Sequence, residues 1–154
     1  MRRIAWCALV VLGAALVAAE RGSSNETLTG PGIIRITSTQ SRFTRVDFGR
    51  RGASPGDLEI SRVRLFNRRV RQRAIGHGQL VCVLTGQNFR NCNGTYILPA
   101  GKLVVSGALI YRGLYDLAVT GGTGKYNNVR GTLTVTRINR RRVEDALVFR
   151  LVIS

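Results

Sequence analysis

Asp57 and Glu59 are the residues in this chain best placed by type and spacing for acid–base chemistry. Two apart on a strand, they set their carboxylates on one face and leave Leu58 and Ile60 on the other. Turned into a low-dielectric cavity, two such acids shift each other's pKa and can divide the roles of acid and base. Turned outward, they pair with arginines such as Arg62 and Arg64. The rule that charged side chains stay exposed favours the outward orientation. Tyr96, Asp116 and Tyr126 are further polar groups, the tyrosines as candidates for orienting a ligand and the aspartate as a base or acceptor.

Cys82 and Cys92 offer a second chemistry. Leu80–Leu84 and Gly94–Leu98 are strand-like, and Gln87 is the midpoint between the two cysteines. A symmetric hairpin about that midpoint sets Cys82 opposite Cys92, where facing Cα atoms are about 4.5–5.5 Å apart, within disulfide range. The competing arrangement, Cys82 as nucleophile with His77 as base, rests on one lone pair of residues, and pairing of the cysteines is favoured. His77 is the only histidine, which removes multi-histidine metal sites, and no metal or cofactor is expected.

Thr120-Gly121-Gly122-Thr123-Gly124-Lys125 invites a phosphate-loop reading and fails it. Tyr126 stands where Ser or Thr would bind magnesium, the glycine spacing differs, and a strand follows in place of a helix. No His-Glu-x-x-His or Cys-x-x-Cys motif is present.

The elements that must position these groups are strands. Short runs of β-branched and apolar residues divided by glycine cover Ile33–Thr39, Phe43–Phe48, Leu58–Leu65, Leu80–Leu84, Gly94–Leu98, Lys102–Ile110, Asp116–Thr120, Gly131–Ile138 and Ala146–Ile153. Eight or nine strands at even spacing, with 18 glycines for turns and no amphipathic helix, predict an all-β barrel or sandwich. Over Gly131–Ile138, Leu133 and Val135 point one way and Thr132, Thr134 and Thr136 the other. Over Leu58–Leu65 the apolar parity changes between Ile60 and Val63, which predicts a bulge there. Lys102–Ile110 and Ala146–Ile153 are apolar on both faces, so the outer one can pack beneath another subunit in a dimer or trimer.

Arg2 and Arg3, an uncharged apolar run over Ala5–Ala19 and small residues at Val17-Ala18-Ala19 form a secretory leader, 1–19, too short to span a bilayer. Residues 20–31 are a polar lead-in and 32–154 one domain. Asn25 and Asn93 begin glycosylation triplets that matter only in a host with that machinery. Without Arg2 and Arg3 the chain carries 22 basic and 8 acidic residues, net +14, clustered at Arg50-Arg51, Arg68–Arg73 and Arg140–Arg142. Such a surface attracts anionic polymers. Phosphate contacts alone select no sequence, and 6% aromatic content gives no stacking platform, so specific nucleic-acid recognition is not expected.

Gly94-Thr95-Tyr96-x-Leu98-x-x-Gly101, Val105-x-Gly107 and the run Leu117 to Gly131 together resemble the allene oxide cyclase and dirigent superfamily. Gly121, Gly122, Gly124 and Gly131 hold its glycine-rich signature, and the likeness runs from about Ile33 to Ile153. The resemblance implies an eight-stranded antiparallel barrel with an apolar cavity, often trimeric. It also implies that a small apolar or phenolic ligand is confined there and steered through cyclisation or stereoselective coupling. The cyclase branch uses a glutamate on the first strand, where this sequence has Arg35 or Thr37. The leader and the cysteine pair are closer to secreted dirigent-like members. The other expectation, from a different class, is a non-enzymatic extracellular protein whose arginines hold anionic polymers.

Overall fold

The computed structural model describes residues 32–49 and 51–153, so the expected leader, the lead-in and the Asn25 triplet lie outside the described residues. Eight strands follow one another: β1 (Gly32–Val46), β2 (Leu58–Asn67), β3 (Ala74–Leu84), β4 (Phe89–Leu98), β5 (Gly101–Ile110), β6 (Leu114–Gly122), β7 (Val129–Asn139) and β8 (Glu144–Ile153). Each pairs antiparallel with its neighbour, and β8 returns to β1, closing a barrel. Closure leaves no unpaired sheet edge. A single 3₁₀ turn, Gly124–Tyr126, lies between β6 and β7.

The count is eight because Ile33–Thr39 and Phe43–Phe48, two runs in the sequence, belong to one long strand up to Val46. Within β1 the pairing with β2 shifts between Gln40 and Arg42, leaving Ser41 as an extra residue. One added residue exchanges the faces of everything after it. Ser38 and Gln40 point into the barrel before the bulge, and Phe43 and Arg45 do so after it. The bulge expected on β2 is therefore on the opposite strand. β2 runs unbroken against β3 from Leu58 to Leu65, and Glu59, Ser61, Val63 and Leu65 keep one parity.

Interior stripes explain why the barrel holds. Leu133 and Val135 on β7 and Leu147, Phe149 and Leu151 on β8 are buried, as are Leu103 and Val105 on β5. Each such side chain contributes about 1.5–3 kcal/mol of transfer free energy. The outer face of β5 and β8 leaves Val104, Ile110 and Val152 exposed in the single chain.

The two ends of the barrel differ. At the end carrying the β4–β5 and β6–β7 connections, Tyr126 is buried in the core. Gly124 sits there at φ +64°, and a Cβ on it would lie 2.6 Å from the Ala100 carbonyl oxygen. Gly131 is at φ +151°, and its missing Cβ leaves room for the Arg150 carbonyl of β8. Both positions demand glycine. The opposite end, with the β1–β2, β3–β4, β5–β6 and β7–β8 connections, opens into a cavity.

Candidate functional site

The cavity has a volume of about 210 Å³. Leu80, Leu109, Val135 and Leu147 supply its apolar wall, with Tyr96 and the Cys82–Cys92 disulfide alongside. Tyr96 is held by what lies beside it. Its ring meets Phe149 edge-on, with centroids 5.4 Å apart and planes at 80°. On β3 the residue opposite is Gly78, where a Cβ would approach the Tyr96 ring to 2.7 Å. The sequence thus makes room for an aromatic ring inside the wall by removing a side chain across from it.

A polar arc runs round the cavity mouth. Arg45 Nη2 donates to Glu59 Oε1. Arg90 holds the same carboxylate with two hydrogen bonds, Nε to Oε2 at 2.6 Å and Nη2 to Oε1 at 3.1 Å. The Arg90 guanidinium lies 4.8 Å from the centre of the Tyr111 ring. Arg137 Nη2 donates to the Tyr111 hydroxyl at 3.0 Å, and Arg137 Nε donates to Asp145 Oδ1. Six side chains from five strands and the β5–β6 turn form one connected chain: Arg45, Glu59, Arg90, Tyr111, Arg137, Asp145. It carries three positive and two negative charges.

The two carboxylates of this arc are driven apart in acidity. Burial pushes Glu59 up, but hydrogen bonds and charge from Arg90 and Arg45 outweigh it, so Glu59 lies below the usual carboxylate range. Burial also pushes Asp145 up, and there the single partner Arg137 does not cancel it, so Asp145 lies above that range. Tyr96 and Tyr115 are both raised, by burial first, then by Tyr115 and Asp145 for Tyr96 and by Asp145 and Tyr111 for Tyr115, and stay protonated as hydrogen-bond donors.

The structure separates the residues singled out from sequence. Asp57 and Glu59 are both buried, against the outward orientation, and the arginines on Glu59 are Arg45 and Arg90, not Arg62 and Arg64. Only Glu59 lines the cavity. Asp57 fastens the β1–β2 connection instead. It accepts from the backbone N–H of Phe48 and of Ser54, each at 2.9 Å, and from the Ser54 hydroxyl at 3.2 Å. Those backbone donors hold its pKa below the usual range. Tyr96 lines the cavity, Tyr126 packs at the far end of the barrel, and Asp116 is exposed on the outside of β6. Gly121, Gly122 and Gly124 serve the β6–β7 connection, away from the cavity. Cys82 and Cys92 are a directly facing pair and are bonded, which excludes Cys82 as a nucleophile in this state. Thr37 and Arg35 do not line the cavity.

Arg45, Arg90, Tyr111, Tyr115, Arg137 and Asp145 are the site residues sequence reasoning missed. Parity carried a signal for two of them. Arg137 ends the Leu133–Val135 stripe, and Asp145 begins the stripe that continues through Leu147 and Phe149. A charged residue on an apolar stripe marks the place where a barrel interior meets its mouth.

Solved structures share this architecture. A pyocyanin demethylase superposes with a TM-score of 0.69 at 24% identity, over 78% of this chain and 99% of that one. The two share an eight-stranded barrel fold. A pterocarpan synthase dirigent protein matches over 94% of this chain and 100% of its own, at a TM-score of 0.63 and 12% identity. A Diels–Alderase from Streptomyces koyangensis matches over 77% and 68%, at 0.59 and 12%. No family model matches the chain, and no curated protein sequence matches it. At these identities the likeness is one of fold.

Proposed function

We propose that this barrel binds one small apolar or phenolic ring system in its interior and steers that ligand's cyclisation or coupling. The observation that carries the reading is the cavity of about 210 Å³, walled by leucine, valine and tyrosine and rimmed by ordered charge. It is smaller than the about 300–1,000 Å³ of sites for drug-sized molecules, so it suits one compact ring system. Holding a reactive ligand in one conformation lowers the barrier by removing the entropy of finding it. The dirigent protein and the Diels–Alderase of the same fold support this reading.

Within it, Asp145 is the proton-handling group, because burial raises its pKa beside the cavity. Glu59 stays ionised and aligns Arg45 and Arg90. Tyr96 and Tyr115 donate to ligand oxygens. If a reaction is catalysed, its class is isomerisation by ring closure, or stereocontrol of a coupling. The chain is read as secreted, which agrees with a disulfide formed in an oxidising compartment. The exposed Val104, Ile110 and Val152 are read as a surface for self-association.

A thermal-shift panel of oxylipins, phenolics and polyketide-like compounds in low and high salt tests the reading. A cavity ligand raises the melting temperature by mass action at both salt levels. Val135→Phe, which fills the cavity, abolishes that shift. A panel without any salt-resistant shift overturns the reading.

A second reading rests on Arg68, Arg69, Arg71 and Arg73 and on Arg140–Arg142, all exposed on turns. There the barrel is an inert scaffold and the arginines hold anionic polymers. Stabilisation by acidic polysaccharide that disappears in high salt supports it.

A further inference from the structure

The three guanidinium groups at the cavity mouth each carry five N–H donors. Together they make five hydrogen bonds to protein partners among the described residues: one from Arg45, two from Arg90 and two from Arg137. Three of the four carboxylate oxygens of Glu59 and Asp145 are already engaged. Both oxygens of Glu59 accept from arginine, and Asp145 Oδ1 accepts from Arg137. The Tyr111 ring face, where a ligand cation would stack, is occupied by Arg90 at 4.8 Å. The tyrosine hydroxyls deeper in the cavity add donors. A ligand entering this site therefore meets aromatic and aliphatic walls and a net surplus of donors and positive charge at one end.

We infer that the cavity selects planar aromatic oxyanions, with the ring against Tyr96, Tyr115 and Leu109 and the anionic oxygens at the Arg45–Arg90–Arg137 arc. The inference rests on the ligand-binding reading above and names its ligand class. Charge-assisted hydrogen bonds from guanidinium to carboxylate or phenolate are about twice as strong as neutral ones, and the planar fork fits two oxygens at once. Glu59 and Asp145 act here as positioning residues: they hold the guanidinium groups in place before the ligand arrives, which lowers the ordering cost of binding.

Isothermal titration of the full chain with three probes of one ring shape tests this: 2-naphthoate, 2-naphthamide and 2-naphthylmethylammonium, at 0.3 M salt to suppress surface attraction. Naphthoate is expected to bind at least tenfold more tightly than the amide, and the ammonium more weakly than both. Arg45→Gln, at a half-exposed position that leaves Arg90 on Glu59, narrows the preference for naphthoate over the amide at least threefold. Val135→Phe abolishes binding of all three. Equal binding of amide and naphthoate overturns the anion selectivity but leaves a ligand-binding cavity. Naphthoate binding that survives Val135→Phe also overturns it, because the anion then sits on the surface. Binding of none of the three overturns the selectivity; the thermal-shift panel then decides separately whether the cavity takes any ligand.

Discussion

Arg45 of β1 and Glu59 of β2 face each other as register partners inside the barrel mouth, and they do so because Ser41 is an extra residue in β1. Without that residue the parity of Ile34, Ile36 and Ser38 would carry Arg45 to the outer surface. The ion pair that starts the polar arc is thus a consequence of a backbone irregularity four residues away. Arg90 reaches the same carboxylate from β4, across β3.

Glu59→Gln leaves two guanidinium groups facing an uncharged amide. Breaking a fully buried pair costs about 3–5 kcal/mol. Arg45 is 37% exposed and recovers solvent, so the expected loss is about 2 kcal/mol. Urea denaturation of the variant beside the parent chain measures it, and an unchanged midpoint refutes the arc's structural role.

The acid limb of stability has a defined sign. Glu59 and Asp57 have folded-state pKa values below their unfolded values of about 4.3 and 3.9. Their contribution is complete above the unfolded values and is lost as pH falls through the folded ones. Asp145 has the opposite sign, since its folded pKa is raised. Its ionisation opposes folding at neutral pH, and that penalty is relieved as pH falls through the raised value. Stability therefore holds down to about pH 4 and drops below it, and Glu59→Gln shallows the drop. Carbon-detected titration should place Asp145 above Glu59; the reverse order refutes the assignment of proton handling to Asp145.

Cys82 and Cys92 close a loop with a sequence separation of 10. Closure of a loop of that size accounts for about 2–3 kcal/mol through the unfolded chain. Replacing both cysteines by serine is expected to lower stability by that amount and to leave the strand spectrum in circular dichroism unchanged, because ladder bonds on both sides keep β3 and β4 paired. A loss of β signal would show the disulfide to be required for the barrel itself.

Gly78→Ala sets a methyl group against the Tyr96 ring. Overpacking of this kind costs about 1–3 kcal/mol. The ring must move into the cavity or off Phe149, so ligand affinity falls together with stability. Gly113→Ala serves as the control, since the nearest atom there, Arg137 Cβ, is 3.9 Å away. Equal effects of the two substitutions would deny Gly78 its part in seating Tyr96.

Much of this molecule was legible in its residues. Alternation over Gly131–Ile138 gave the inward face of β7, because side chains on a strand take opposite sides by geometry alone. The midpoint at Gln87 paired Cys82 with Cys92, because a hairpin's register follows from its turn. The glycine-rich signature carried the barrel fold, because Gly124 and Gly131 occupy backbone states and close contacts that other residues resist. Three things waited for the tertiary structure. The bulge at Ser41 was invisible, since its effect is a shift between strands, and it decided which way Arg45 points. Glu59 lies 14 residues from Arg45 and 31 from Arg90, so nothing local could show that its burial is compensated. Composition and parity name which side chains alternate; only closure of the barrel decides which of them share an interior, and therefore which charges can be buried together.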